Sequence, residues 1–95
     1  MEKTIEILNK MGYQVVFIHE LNKVFIVNEF ETSSTIGGIN TGFNRVKGIE
    51  ISSLIQTLVV EQPLNTLKAK LEKFIEDSPV LNMKFSINYR WYMYL

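Results

Sequence analysis

A glycine-containing segment at residues 31–42 is the part of the sequence closest in composition to a ligand-binding loop. Its backbone amides and hydroxyl groups could cradle a phosphate, as runs of N–H groups do in anion-binding loops. No lysine follows at phosphate-loop spacing, and the glycine spacing of dinucleotide-binding loops is also absent. We interpret the segment as a flexible connector or polar hairpin, with nucleotide or phosphate binding as the alternative. The residues that would contact such a ligand are Ser33, Ser34, Thr35, Gly37, Gly38 and Arg45.

Acid–base and metal chemistry have few candidate residues in this sequence. The one histidine, His19, falls within a predicted strand, and the chain contains no cysteine. A hydrolase triad needs a base beside its nucleophile, and zinc sites need several imidazole or thiolate ligands. The acidic residues are scattered without calcium-loop spacing. We therefore expect a protein that is not an enzyme and that uses no metal or cofactor.

Aromatic residues are concentrated at the C-terminal end, where they alternate with polar residues. Tyr89 and Trp91 share the apolar face of this alternation, and the intervening residues project the other way. Tyrosine and arginine are favoured at the centres of protein interfaces. The predicted interface residues are Lys84, Arg90, Tyr92 and Tyr94. Stacking of single-stranded nucleic acid on these rings is less favoured, because the exposed set is small and the chain is neutral.

The charge balance limits the partners that this chain can attract. Ten basic and ten acidic residues give a formal net charge of zero. A strongly basic nucleic-acid binder and an acidic DNA mimic are both disfavoured, because neither sign of field dominates. A hydrophobic content of 46% is typical of a globular protein and argues against intrinsic disorder. At 95 residues, we expect a single domain over 1–95.

Two further compositional features concern origin and location. Apolar runs such as Val15–Ile18 are far shorter than a membrane span, and the N-terminal residues include two acids, so neither a membrane span nor a signal peptide is predicted. We expect a cytoplasmic protein. Isoleucine, asparagine and lysine, which A/T-rich codons encode, supply 27 of the 95 residues, and this favours a low-GC bacterium or its phage as the source.

The first half of the chain predicts a short helix followed by strands. Apolar residues at helical spacing indicate a helix over about 2–11, ended by Gly12. Residues 13–21 and 24–30 are rich in β-branched and aromatic side chains, which predicts a hairpin with Asn22 and Lys23 as a two-residue turn. A further strand is predicted over about 43–51, broken or bulged at Gly48.

The second half predicts two helices and a long strand. Ser53 and Gln56 have capping-box spacing, so a helix is expected over about 53–62, and Pro63 opens another over 63–77. Residues 82–94 alternate without a break between apolar and polar, which predicts one strand with a buried face. We expect this strand to be central, or to become so by pairing with another chain.

These elements predict an α+β fold, with an antiparallel or mixed sheet of about four strands and the helices packed on one face. The sequence favours a non-enzymatic interaction module that binds a protein partner or itself through its C-terminal aromatic strand. The alternative is a protein that binds a small ligand with residues 32–42.

Overall fold

A computed structural model of the protein describes residues 2–32, 42–57 and 62–95. The described elements alternate helices with strands around one sheet. In chain order they are α1 (Glu2–Lys10), β1 (Gln14–Ile18), β2 (Lys23–Thr32), β3 (Phe43–Glu50), α2 (Ser52–Thr57), α3 (Leu64–Asp77), β4 (Leu81–Ser86) and β5 (Trp91–Tyr94). The α+β class with an antiparallel sheet is confirmed, and the sheet has five described strands instead of about four.

The sheet is strongly bent. Its strand order is β4-β3-β2-β1-β5, so the last two strands of the chain occupy opposite edges. Residues 87–90 alone connect them, and five Cα steps span at most about 18 Å. A flat sheet of five strands would separate its edges by about 19 Å even without any offset along the strands. The sheet must therefore curl, and the Phe30 ring of β2 lies 6.1 Å from the Phe85 ring on one edge strand and 4.7 Å from the Trp91 ring on the other.

The two faces of the curled sheet pack differently. One face lies under the helices, where Val15 and Ile26 meet Leu8 of α1 and Leu71 of α3 in what we call the helix-side core. The other face encloses an inner core to which the described helices contribute nothing. Its buried residues come from four strands, and they are Val16, Ile18, Phe25, Val46 and Phe85.

The predicted hairpin of β1 and β2 forms, but its turn and register differ from the prediction. Ile18 pairs with Lys23, so residues 19–22 form a four-residue connection and the strand ends before His19. Asn22 adopts a positive φ of 51° there, a conformation that asparagine tolerates better than most residues. Each residue of β1 now pairs four positions earlier on β2 than predicted. Because four is even, the paired side chains keep their faces, whereas Phe30, beyond the register shift in β2, lies on the inner face instead of the face it was predicted to share with Val15.

A bulge in β2 lies opposite Gly48, near the middle of β3. The register shifts between Val27 and Glu29, where these residues pair with Gly48 and Lys47. A Cβ atom at Gly48 would overlap the carbonyl oxygen of Ile26, so glycine allows the two strands to approach closely. The predicted strand at 43–51 is confirmed to within one residue, and the bulged residue lies on the neighbouring strand.

The prediction of a single C-terminal strand over 82–94 is wrong, and neither of the two strands found there is central within the chain. That this region becomes central by pairing with another chain stays a prediction. Residues 87–90 form a turn in which the Tyr89 N–H donates to the Ser86 carbonyl oxygen at 3.1 Å. The turn has an even number of residues, so β4 and β5 both direct their odd-numbered side chains toward the inner core. Two separate edge strands therefore share one unbroken alternation in the sequence.

The helices agree closely with the prediction where they are described. α1 ends at Lys10 before Gly12, whose φ is +95°. α3 begins directly after Pro63 and ends at Asp77. α2 begins at Ser52, one residue earlier than predicted, and the Ser52 hydroxyl accepts the Val24 N–H at 3.0 Å. The predicted continuation of this helix through 58–61 lies outside the described residues.

Candidate interaction surface

The strand β5 forms one edge of the sheet. It pairs antiparallel with β1, from Ile18 with Trp91 to Val15 with Tyr94, and no described strand lies on its other side. We call residues 91–95 the β5 edge, because Leu95 continues the chain directly beyond the strand. An edge strand presents unpaired N–H and C=O groups that can pair with an additional strand.

The backbone groups that point outward from β5 follow from one hydrogen bond. The His19 N–H donates to the Arg90 carbonyl oxygen at 2.9 Å, one register step beyond the last residue pair of the two strands. In an antiparallel pair, residues that exchange hydrogen bonds alternate with residues that do not. Arg90 belongs to the bonded set, and Tyr92 and Tyr94 follow it. The β5 residues whose backbone groups point away from β1 are therefore Trp91 and Met93.

The side chains of the β5 edge are large, uncharged and substantially exposed. Trp91 is 40% exposed, Tyr92 58% and Leu95 82%. The Trp91 ring packs against Phe30 of β2, with centroids 4.7 Å apart. On the opposite face the Tyr92 ring packs against Tyr94, also with centroids 4.7 Å apart. The rings are thus held in place by intramolecular contacts while much of their surface remains accessible.

Glu20 fixes the beginning of this edge. Its carboxylate accepts the Arg90 backbone N–H at 2.7 Å and the Arg90 Nε–H at 3.0 Å. Partial removal of the carboxylate from water acts to raise its pKa, but the hydrogen bonds from Arg90 and the guanidinium charge outweigh this effect. The pKa of Glu20 is therefore held below its usual value. Arg90, predicted as an interface residue, already has an intramolecular partner.

The four predicted interface residues are divided between the two edge strands and the turn that joins them. Tyr92 and Tyr94 lie on the same face of β5, where Tyr94 is half-buried against the helix-side core. Lys84 lies on β4 at the opposite edge of the sheet, with its Nζ 4.6 Å from the centre of the Phe43 ring. The sequence placed Trp91 in the core, and its 40% exposure makes it part of the accessible edge instead.

Arg45 is the one described residue of the candidate ligand-binding set. Its Nη1 lies 3.6 Å from a carboxylate oxygen of Glu31, and its guanidinium stands 5.5 Å from the centre of the Phe43 ring. The other candidates, Ser33, Ser34, Thr35, Gly37 and Gly38, lie outside the described residues. The structure also assigns residues 31 and 32, which the sequence placed in the loop, to β2.

The described residues offer little for acid–base or metal chemistry. His19 is exposed at the β1–β2 connection, with its ring 4.6 Å from the Phe17 ring in an edge-on arrangement. Within 2–32, 42–57 and 62–95, no group of three or more histidine, aspartate or glutamate side chains is placed to hold a metal ion. None of the helices in these ranges is long and apolar enough to cross a membrane.

Comparison with known proteins does not assign this chain to a family. No family model matches the chain, and no match was found among curated proteins or solved structures.

Proposed function

We propose that this protein is a non-enzymatic interaction module that adds an extended protein segment to its sheet at the β5 edge. The observation that carries the proposal is the outward orientation of the Trp91 and Met93 backbone groups on a strand that has no described neighbour on the side away from β1. Strand addition obtains its affinity from such main-chain hydrogen bonds. The exposed rings of Trp91 and Tyr92 on the two faces would contact alternate side chains of the added segment.

The geometry also favours a preformed site. Arg90 is fixed by Glu20, and Phe30 supports the Trp91 ring. An added strand would meet backbone groups already held in β conformation by β1, so little conformational entropy is lost on binding. This supports recognition of an extended segment by main-chain pairing.

Amide hydrogen exchange tests the proposal directly. Peptides that bind the protein at low concentration are first selected from a library of short random sequences. The exchange rate of each backbone amide of the protein is then measured with and without the tightest-binding peptides. An added strand slows exchange at Trp91 and Met93, while Tyr92 and Tyr94 change little because their amides already bond to β1. A general stabilisation of the fold would instead slow hydrogen exchange at all four of these amides.

Matched charge variants locate the binding. Tyr92→Lys places a cation on the β5 edge, and Asn82→Lys places the same charge on β4. We expect Tyr92→Lys to weaken peptide binding at least tenfold and Asn82→Lys to leave it unchanged. Equal loss in both variants, or peptides that protect neither Trp91 nor Met93, would overturn the proposal.

A further inference from the structure

The two edges of the sheet differ in their protection against strand addition. Natural edge strands are commonly blocked by lysine or proline. β4 carries Lys84 in its middle, and Pro79 lies two residues before the strand begins. The β5 edge has neither a charged residue nor a proline over residues 91–95. Of the two described edges, β5 is the one open to pairing.

We infer that the segment bound at the β5 edge is the same edge of a second copy of this chain, paired antiparallel about a two-fold axis. This inference rests on the proposed function, because it names the partner of that surface. A two-fold pairing sets the edge against its own sequence, so any charge near the axis would face its like. No side chain of residues 91–95 is charged, and the net charge of zero gives two copies no long-range repulsion at neutral pH.

The outward backbone groups define the register of this pairing. Outward-facing residues must lie opposite each other to exchange hydrogen bonds. With Met93 opposite the partner's Met93, Trp91 lies opposite the partner's Leu95, and all five residues of the edge are paired. This arrangement covers Trp91 and Leu95, whose side chains are 40% and 82% exposed.

A register shifted by two residues, which moves the two-fold axis by one residue, uses the edge less completely. Placing Tyr92 on the axis sets Trp91 opposite the partner's Met93. It also leaves Leu95 opposite the 87–90 turn, where Glu20 already holds the Arg90 backbone N–H. The shifted register therefore loses the Leu95 pairing. The structure favours Met93 on the axis.

The extent of the edge sets the strength of the association. A five-residue strand pair buries less than the roughly 1,000 Å² expected of a stable interface. The dimer is therefore weak and depends on concentration. Sedimentation velocity at protein concentrations from about 5 µM to about 1 mM measures the monomer–dimer equilibrium, because interfaces of this size associate weakly.

The first experiment compares the wild-type chain with the two lysine variants. We expect the average mass of the wild-type and Asn82→Lys proteins to rise with concentration from 11.0 kDa toward twice that value. Tyr92→Lys, which adds a charge close to the axis of both copies, should stay at 11.0 kDa over the same range. A wild-type protein that stays monomeric throughout, or that loses its dimer equally in both variants, overturns the inference.

The second experiment tests the register. The chain has no cysteine, so one introduced thiol can form a disulfide only between copies. Directly opposed hydrogen-bonded residues have Cα atoms about 5.5 Å apart, within the range that a disulfide spans. We expect Met93→Cys to oxidise to a covalent dimer at least tenfold faster than Tyr92→Cys or Asn82→Cys. Oxidation of Tyr92→Cys at the same rate or faster overturns the assigned register.

These outcomes separate the dimer from the broader proposal. A monomeric chain whose Trp91 and Met93 amides are still protected by bound peptides overturns the self-pairing and leaves strand addition intact. A monomeric chain with no peptide protection at these amides overturns both.

Discussion

Glu20 and Arg90 lie seventy positions apart in sequence and are joined by two hydrogen bonds at the ends of β1 and β5. The Glu20 carboxylate accepts the backbone N–H that would otherwise extend the β1–β5 ladder by one step. The Arg90 carbonyl oxygen in turn accepts the His19 N–H. This connection holds the turn at 87–90 against the β1–β2 connection, and it sets where the exposed edge begins.

The Glu20–Arg90 connection predicts a specific pH dependence of stability. The folded-state pKa of Glu20 lies below its usual value, so the carboxylate contributes stability above the unfolded-state pKa. That contribution is lost as the pH falls through the lowered folded-state pKa. We expect Glu20→Gln to lower the urea midpoint at pH 7, and the difference from wild type to vanish in strong acid.

The matched control for this prediction is Glu6→Gln. The Glu6 carboxylate lies 3.2 Å from Lys10 Nζ on the exposed surface of α1, and exposed pairs of this kind contribute about 0–1 kcal/mol. Urea unfolding followed by Trp91 emission measures both variants. A Glu20→Gln protein that matches wild type at every pH would show that the two hydrogen bonds contribute nothing to stability.

We expect a single methyl group added at Gly48 to lower the free energy of unfolding substantially. The new Cβ of Gly48→Ala would overlap the Ile26 carbonyl oxygen and lie 3.2 Å from the Val27 Cα. Backbone atoms in a paired strand have little room to shift, so we expect the free energy of unfolding to fall by about 1–3 kcal/mol or more.

Gly12 offers a contrast to Gly48 with a different physical cause. A Cβ at Gly12 meets no atom within 4 Å, but its φ of +95° is strained for residues other than glycine. Gly12→Ala should cost about 1–2 kcal/mol, and Gly12→Asn less than that. Thermal unfolding of the three variants gives the order, and a Gly48→Ala protein as stable as Gly12→Asn would contradict the close approach of β2 and β3.

Asn44 is a buried amide that we expect to limit stability. It is 1% exposed and lies opposite Phe85 on the inner face of β3, and neither amide atom has a hydrogen-bond partner among the described residues. A buried polar group without a partner costs about 1–3 kcal/mol. Asn44→Leu should therefore raise the free energy of unfolding by about 1 kcal/mol or more.

The exposed residue Asn82 supplies the control for Asn44. Asn82→Leu makes the same chemical change on the surface of β4 and should alter stability by less than about 0.5 kcal/mol. Chemical denaturation measures the free energy of unfolding of both variants. Destabilisation by Asn44→Leu would indicate that the amide does form hydrogen bonds in solution.

The sequence predicts the elements of this fold better than their positions in the sheet. Periodicity identifies α1, α3 and the strand segments, because local spacing reports which face of an element is buried. It does not report registers, since the β1–β2 pairing can shift by an even number of residues without moving any side chain to the other face. For the same reason β4 and β5 read as one strand, because the turn between them preserves the alternation.

The candidate surface depends on these long-range positions. Tyr92 is exposed because β5 is an edge strand, and Lys84 lies on β4, the edge strand at the other end of the strand order. Neither strand position follows from local pattern. Trp91 has the apolar periodicity of a core residue, and its exposure arises from its place at the edge. The absence of charge and proline over residues 91–95 does not reveal this position, because it is equally typical of a central strand.

We expect Phe30 to help maintain the curl of the sheet. It lies on β2 beyond the end of β1, with its ring 4.7 Å from Trp91 of β5 and 6.1 Å from Phe85 of β4. These contacts join both edges of the sheet to its middle strand across the inner core. Because Phe30 is half-buried, we expect Phe30→Ala to cost about 2–3 kcal/mol, less than for a fully buried phenylalanine.

Phe43 is the matched control, since it is also half-buried and lies on a strand of the same sheet. Its ring contacts the cations of Lys84 and Arg45. Phe43→Ala should cost about 1 kcal/mol, the order of an exposed cation–π contact, and should leave Trp91 emission unchanged. Phe30→Ala should shift that emission to longer wavelength in the folded protein, because water reaches the indole face that Phe30 covers. Identical spectra for the two variants would show that the Phe30–Trp91 contact does not hold the edge of the sheet.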